Sequence, residues 1–186
     1  MNKIIKEQLK LLKPSATLAI NEESNRLEKE GKKIYRFGFG QSPFPIPESV
    51  ISALKLNADK NKYLPMQGLE ELRKSIASNL NKNNNNNFNS ENIIVGPGSK
   101  ELMLLTQLAF DGEILLPIPS WVSYQPQALI GKNKVHWINT SSNSNWFPTA
   151  KDLENKIKSI KCKNLMLFIN SPNNPSGTTC KNLKEI

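Results

Sequence analysis

The chain has 186 residues, 38% apolar and 22% charged, a composition that excludes collagen-like, coiled-coil and wholly disordered proteins. This length is enough for one domain with a buried core, and apolar runs such as 165–169 are too short to span a membrane. The net charge of +9 favours anionic partners, but the lysines are scattered, which indicates a solvated surface and no nucleic-acid interface.

The cysteine and histidine content limits the possible kinds of site. Cys162 and Cys180 form no CxxC pair, and His136 is the only histidine. We therefore expect neither a metal site nor a disulfide framework, and we expect a reducing, cytoplasmic environment. No signal-peptide pattern is expected at the N-terminus, because charged side chains interrupt the apolar ones there.

The first half of the chain is predicted to be mainly helical. Apolar residues recur at three- and four-residue spacing, which predicts helices over 4–13, 16–29, 48–56 and 69–80. Pro14 and Gly31 are expected to end the first two of these helices. A strand is predicted at 33–39, the three prolines of 43–47 exclude regular structure, and the asparagine run 83–87 is typical of a surface loop.

Strands and helices alternate in the second half of the chain. The pattern predicts strands at 93–95, 114–116, 135–138 and 165–170, and helices at 99–110, 123–130 and 149–160. Thr149 is expected to cap the last helix. The inner face of the first helix is expected to carry Leu102, Leu105, Leu108 and Ala109. The alternation predicts an α/β fold, with a mainly parallel sheet flanked by helices and an N-terminal helical segment before it.

Three loops at predicted strand ends are candidates for a ligand site: 96–100, 117–121 and 170–177. The first loop predicts either an anion site at a helix N-terminus or a tight turn capped by Ser99, and it matches neither a Walker loop nor a Rossmann fingerprint. Trp121 in the second loop could stack on a planar ring or pack in the core. The third loop holds more asparagine amides than a turn requires.

Five segments, in a fixed order, resemble the motifs of one family. GQSPF at 40–44 resembles G-x-P-D-F, and YLPMQGLEELR at 63–73 resembles Y-x-P-x-x-G-x-x-x-L-R. GSK at 98–100 and PSWVSY at 119–124 resemble its phosphate-binding turn and ring-stacking segment, and NSPNNPSG at 170–177 resembles N-S-P-N-N-P-T-G. On these motifs the chain is similar to the class I/II aminotransferases, which are aspartate aminotransferase-like, fold-type I enzymes that use pyridoxal 5'-phosphate.

The resemblance implies a role toward this cofactor for each matching residue. The backbone N–H groups of Ser99 and Lys100, which follow Gly98, would hold the cofactor phosphate together with the Ser99 hydroxyl. Trp121 would lie against the pyridine ring. Asn174 would donate a hydrogen bond to the phenolic oxygen of that ring.

The resemblance also implies partners and a division into domains. Tyr63 would reach the cofactor phosphate of the neighbouring subunit in a homodimer, and the Gly40 backbone would lie near the substrate carboxylate. The substrates would be an amino acid and a 2-oxo acid, with no membrane partner. Residues 1–47 would form an N-terminal arm and part of a small domain, and 48–186 an incomplete cofactor-binding large domain.

The chain departs from the family pattern in three respects. Ser42-Pro43 replaces the usual Pro-Asp, and Ser176 replaces the usual threonine. In the family, the Schiff-base lysine, the acidic partner of the pyridinium and the substrate-binding arginine lie downstream of the last motif, and no segment here matches them. Lys100 is not expected to replace that lysine, because it lies at the phosphate turn. We therefore expect no catalytic residue and no transaminase activity in these 186 residues alone.

Three alternatives stay open at the level of the sequence. The first is another fold-type I enzyme that uses the same cofactor, such as a lyase, decarboxylase or synthase acting on amino acids. The second is a nucleotide-binding α/β domain, which would use 96–100 but leave Trp121 and Asn174 without a role. The third is a non-catalytic, truncated product.

Overall fold

The computed structural model describes residues 4, 6–13, 15–38, 40, 42–83, 86–181 and 183–186. The chain divides into two compact units, one made of Met1–Leu11 and Ile94–Ile186 and the other of Leu12–Ile93. The expected domain boundary between residues 47 and 48 stays a prediction. Within the described part of the chain, no helix combines the length and the apolar character needed to cross a membrane.

Regular structure in the described residues consists of six α-helices, three β-strands and three short 3-10 helices. The α-helices are α1 (Ala16–Lys29), α2 (Glu48–Leu56), α3 (Glu70–Asn83), α4 (Ser99–Ala109), α5 (Tyr124–Gly131) and α6 (Ala150–Lys158). The strands are β1 (Glu113–Ile118), β2 (Val135–Asn139) and β3 (Leu165–Leu167). The 3-10 helices are Glu7–Leu11, Ser90–Asn92 and Ser142–Ser144.

The three strands form one parallel sheet in the order β2-β1-β3, which confirms the predicted α/β fold. Helix α5 connects β1 to β2, and α6 connects β2 to β3. The register of β1 against β2 runs from Ile114 opposite Val135 to Ile118 opposite Asn139. Central strand β1 is an almost unbroken apolar run, as expected for a parallel strand that is covered on both faces.

The core has two layers because successive side chains of β1 point to opposite faces of the sheet. Ile114 and Leu116, both 0% exposed, pack on one face with two residues of α5, Tyr124 and Ala128. The other face is formed by Leu115, Ile138 and Leu153. Helices α4 and α5 therefore cover one face of the sheet, and α6 covers the other.

Arg73 organises part of the unit Leu12–Ile93. This arginine is 5% exposed, and its Nε and Nη1 donate to the carbonyl oxygens of Gly68 at 3.3 Å and Ser90 at 2.8 Å. Its Nη1 also lies 3.4 Å from the carboxylate of Glu91. Gly68 has φ of +96° and donates its N–H to the Pro65 carbonyl at 2.8 Å. One buried guanidinium thus fixes the turn at 65–68 to the 3-10 helix that follows α3.

The predicted cap of α6 is confirmed. The N–H and O–H groups of Thr149 donate to Oδ2 of Asp152 at 2.9 and 2.6 Å, and Thr149 Oγ1 accepts from the Asp152 N–H at 3.2 Å. Hydrogen bonds from the Thr149 side chain and backbone hold the pKa of Asp152 below its usual value of 3.8.

Most helix predictions are confirmed, and one is wrong. Helices α1 and α2 have the predicted bounds, and the predicted helix 69–80 is observed as Glu70–Asn83. Gly31, with φ of +82°, follows the end of α1 as expected. The predicted helix 4–13 is only the 3-10 helix Glu7–Leu11, and Pro14 lies outside the described residues.

Two of the strand predictions are wrong. The described residues of 33–39 and 93–95 belong to no strand, and Phe39 lies outside the described part. Ile93 is extended, with φ of −116° and ψ of 130°, but an extended segment becomes a strand only when a neighbour accepts its hydrogen bonds. Phe37, 92% exposed, likewise packs on no sheet in the described residues.

The predicted inner face of α4 is also wrong. Leu105 and Leu108 are 50% and 52% exposed, whereas Gln107 is completely buried. Met103, one turn before Gln107, is the residue of α4 that packs on the core. Because a pattern built only from apolar residues cannot include a buried glutamine, the predicted face was rotated away from the true one.

Candidate ligand-binding site at the strand ends

The loops after β1 and β3 meet at one edge of the sheet, because these parallel neighbours end on the same side. The side-chain Nδ2 of Asn173 donates to the Pro119 carbonyl at 3.3 Å and to Ser176 Oγ at 2.9 Å. The Asn173 backbone also exchanges hydrogen bonds with Thr178 at 2.8 Å and Gly177 at 2.7 Å. Asn173 is 8% exposed, so this buried amide joins the two predicted loops 117–121 and 170–177.

The Asn174 side chain differs from that of Asn173 in its exposure and in its hydrogen bonds. Its side chain is exposed, and no described residue forms a hydrogen bond with its amide. Its backbone N–H donates to Oδ1 of Asn170 at 2.9 Å, which holds the main chain in place. The free amide of Asn174 is therefore available to a ligand, while the amide of Asn173 is occupied within the protein.

Trp121 lies immediately after this edge and is partly packed in the core, while its stacking on a ligand ring stays a prediction. Its ring contacts Tyr124 edge-on, with centroids 5.5 Å apart and an interplanar angle of 83°. Tyr124 in turn packs on Phe168 at 4.8 Å, and burial raises the pKa of the Tyr124 hydroxyl. Trp121 is only partly buried, so part of its indole is held by the core and part remains accessible.

The start of α4 lies next to Trp121. The ammonium of Lys100 is 5.6 Å from the indole centroid, a cation–π distance. Gly98 precedes the helix with φ of +119° and accepts a hydrogen bond from the Leu102 N–H at 3.4 Å. Ser99 and Lys100 are exposed in the first turn, where backbone N–H groups have no partner within the helix. The loop 96–100 thus precedes a helix as predicted, but it does not follow a strand.

The shape and charge of this helix start suit an anion. A Cβ added at Gly98 would meet no atom within 4 Å, so the space beside the residue that precedes the first turn is open. The unpaired N–H groups and the helix dipole favour negative charge there. The Lys100 ammonium adds a full positive charge beside the indole. An anionic group attached to a flat ring would therefore find complementary partners at this edge.

Two buried glutamines behind the helix start were missed by the sequence reasoning. Gln127 donates from Nε2 to the Lys100 carbonyl at 2.7 Å and accepts from Gln107 Nε2 at 3.0 Å. Gln107 also donates to the Met103 carbonyl at 3.3 Å. The available signal was a polar residue at helical spacing within an otherwise apolar helix face.

Tyr63 and Gly40 belong to the other compact unit, Leu12–Ile93. The Tyr63 side chain is fully exposed and precedes the turn that Arg73 stabilises. Gly40 is exposed, with no atom within 4 Å of a Cβ built on it, and Gln41 beside it lies outside the described residues. The roles expected for Tyr63 and Gly40 stay predictions.

A cavity of about 850 Å³ lies elsewhere, lined by residues within 139–152 and by Cys180, Lys181, Glu185 and Ile186. Lys100, Trp121 and Asn174 are not among the described residues that line it. At the strand-end edge, Lys100 lies beside Trp121, and Asn173 joins the loop of Trp121 to the loop of Asn174.

The chain is similar in sequence to known aminotransferases. The family model described as aminotransferase class I and II matches residues 32–186. A probable aspartate/prephenate aminotransferase of Rhizobium leguminosarum bv. phaseoli is 31% identical over 176 residues, covering 92% of this chain and 43% of the relative. An aspartate aminotransferase of Bacillus sp. (strain YM-2) is also 31% identical, covering 95% of this chain and 46% of the relative.

Solved structures of aspartate aminotransferases share the fold. The enzyme from Rhizobium meliloti matches with a TM-score of 0.82 and 26% identity, over 92% of this chain and 43% of its own. The enzyme from Thermus thermophilus with maleate matches with a TM-score of 0.81 and 29% identity, over 92% and 45%. The chain therefore spans less than half the length of these relatives.

Proposed function

Because the chain belongs to the class I and II aminotransferase family, we propose that it forms part of an enzyme that transfers an amino group from an amino acid to a 2-oxo acid with pyridoxal 5'-phosphate. One observation carries the proposal. The Trp121 indole lies 5.6 Å from the Lys100 ammonium at the start of α4, and its loop is bonded through Pro119 to Asn173, next to the free amide of Asn174. The helix start with its ammonium, the indole face and the free amide would complement the phosphate, the ring and the phenolic oxygen of this cofactor.

The residues of the strand-end edge fit this cofactor. The exposed first-turn N–H groups of Ser99 and Lys100, with the Ser99 hydroxyl, would hold its phosphate at the positive end of α4. The accessible part of the Trp121 ring would support the pyridine. The Asn174 amide would donate to the phenolic oxygen and so orient the ring in its own plane.

The chemistry is divided between the cofactor and the protein. When bound, pyridoxal phosphate supplies the electron sink that makes the substrate Cα–H bond labile. The residues of this chain bind and orient: the α4 start neutralises phosphate charge, Trp121 limits tilt of the ring, and Asn174 polarises the phenolic oxygen. None of these three groups moves a proton.

We propose aspartate as the amino donor to test first. The Bacillus relative is named an aspartate aminotransferase, and the Rhizobium leguminosarum relative a probable aspartate/prephenate aminotransferase. The net charge of +9 is compatible with a dicarboxylate substrate and a phosphorylated cofactor. This specificity would assign the enzyme to amino-acid metabolism, and we propose a cytoplasmic location because the chain has only two cysteines.

We also propose a homodimer in which Tyr63 contacts the cofactor phosphate of the neighbouring subunit. The full exposure of the Tyr63 side chain supports this role, because a residue that acts on another subunit must be free in its own. The buried Arg73 supports it further, since its bond to Gly68 gives the Tyr63-bearing loop a defined shape.

Ligand binding to the 186-residue chain tests the cofactor assignment. The probe is pyridoxine 5'-phosphate, which keeps the ring, phenol and phosphate but lacks the aldehyde and cannot condense with surface lysines. We expect a change in its ³¹P signal on binding. Trp121→Leu should weaken binding about fivefold, because a ring–ring contact is worth about 1 kcal/mol.

The matched control is Trp137→Leu, on strand β2, where the indole is 36% exposed and outside the proposed contact set. This variant should bind the probe as the unaltered chain does. Absence of any ³¹P change with the unaltered chain, or equal weakening by both substitutions, would contradict the assignment.

A further inference from the structure

Gln127 forms the one hydrogen bond that ties the α5 side chains to the backbone at the start of α4 among the described residues. Its side chain is 5% exposed, and the bond from Nε2 to the Lys100 carbonyl is 2.7 Å long. Its Oε1 accepts from Gln107 Nε2 at 3.0 Å, so both ends of the amide are used. The orientation of the Gln127 amide is therefore determined from both sides.

The position of Gln127 in α5 relates it to Trp121 as well. Its backbone N–H donates to the Ser123 carbonyl at 3.2 Å, and the Tyr124 N–H donates to the Trp121 carbonyl at 3.2 Å. Gln127 is thus one helical turn beyond the loop that carries the indole. The Gln127 side chain therefore connects the Lys100 carbonyl to α5, the helix whose first residue, Tyr124, is bonded to Trp121.

Packing alone does not account for a polar bridge at this interface. Burying an amide costs free energy unless its groups are bonded, and Gln107 Oε1 has no partner among the described residues. Two apolar side chains of similar volume would close the same interface without that cost. What they would not provide is a directional bond to the Lys100 carbonyl, which orients the peptide groups of the first turn.

We propose that Gln127 is a positioning residue that sets the location of the phosphate-binding N–H groups relative to the Trp121 ring. The inference rests on the proposed function, because it assumes that a phosphorylated pyridine binds at both places. Gln127 does not contact that ligand. It determines whether the phosphate and the ring can be bound simultaneously, and its removal should therefore affect ligands that carry both groups.

The test compares variants of the 186-residue chain. Gln127→Met keeps the length of the side chain and removes the bond to Lys100. The double variant Gln107→Met/Gln127→Met removes both amides, so no buried amide is left without its partner. It provides the second test if the single variant does not fold. The control is Gln125→Met, at an exposed position of the same helix.

Two probes separate positioning from general damage. Pyridoxine 5'-phosphate carries ring and phosphate, whereas pyridoxine carries the ring alone. We expect Gln127→Met and the double variant to weaken binding of the phosphorylated probe about tenfold, with pyridoxine binding changed less than twofold. Gln125→Met should leave both affinities unchanged. Equal losses for both probes, or unchanged binding of the phosphorylated probe, would overturn the inference.

Hydrogen exchange distinguishes failure of the inference from failure of the proposed function. The Leu102 amide bonds to the Gly98 carbonyl at 3.4 Å and reports on the first turn of α4 without any ligand. Faster exchange of this amide in Gln127→Met than in Gln125→Met supports the positioning role, and equal exchange overturns it. If the unaltered chain binds neither probe, the proposed function fails, and exchange still decides whether Gln127 orders the first turn of α4.

Discussion

Asn173 and Asn174 are adjacent, chemically identical residues for which the structure predicts opposite effects of substitution by alanine. The Asn173 amide is buried and donates to the Pro119 carbonyl and the Ser176 hydroxyl. Asn173→Ala removes both bonds, one of them to the half-buried Pro119 carbonyl. At about 1 kcal/mol for each bond, we expect a loss of about 2 kcal/mol in the free energy of unfolding. For a chain of this size, the melting temperature should fall by about 4–8 °C.

Asn174→Ala should behave in the reverse manner. Its side chain is exposed and has no hydrogen-bond partner among the described residues, so the free energy of unfolding should change by less than about 0.5 kcal/mol. The proposed bond to the phenolic oxygen would be lost, and binding of pyridoxine 5'-phosphate should weaken about fivefold, corresponding to about 1 kcal/mol.

Thermal unfolding followed by circular dichroism and the ³¹P titration are the two assays. Each variant serves as the control for the other, because the substitutions are the same and the positions differ by one residue. An unchanged melting temperature for Asn173→Ala would refute the structural role of its amide. Destabilisation by Asn174→Ala as large as that of Asn173→Ala would refute the distinction between them.

Four further substitutions test the remaining structural conclusions. Arg73→Met should lower the free energy of unfolding by about 3 kcal/mol, measured by urea titration, because two carbonyl groups lose a charged donor. Leu116→Ala should lower the free energy of unfolding by about 2–5 kcal/mol, because that side chain is 0% exposed. Leu105→Ala should lower it by less than about 1 kcal/mol, because that side chain is 50% exposed. Similar losses for both variants would support the predicted inner face of α4. Thr149→Ala should cost about 1 kcal/mol at neutral pH. The lowered pKa of Asp152 means that the contribution of its carboxylate to this cap is present above pH 3.8 and is lost as the pH falls through the lowered pKa, so the difference between Thr149→Ala and the unaltered chain should become smaller in acid.

The helices and strands that were predicted correctly have a sequence pattern that is complete within a short segment. Strand β1 is apolar almost throughout, and helices α1 and α2 carry regular spacing with clear ends. The predicted strands 33–39 and 93–95 failed because a strand depends on a neighbour, and no local pattern reveals whether that neighbour is present.

The residues of the candidate site stay predictions, but the structure adds detail to the segments that carry them. The order of the motifs led to Trp121 and Asn174, and the loops that carry them are joined through Asn173. The two buried glutamines were not predicted, because hydrophobic spacing treats a polar residue as exposed. Gln107 is nevertheless completely buried, since Gln127 provides its partner from a helix 20 residues away.

The sequence by itself determined the family and the α/β alternation, and it predicts the segments of the candidate site, since each of these is carried by residues close together in the chain. Only the tertiary structure decided which of two adjacent asparagines has a free amide, which face of α4 is buried, and how the start of α4 is fixed relative to Trp121. These properties depend on hydrogen bonds such as that from Gln127 to Lys100, whose partners are 27 residues apart. A partner that distant is selected by the packing of helices on the sheet, and no local pattern encodes it.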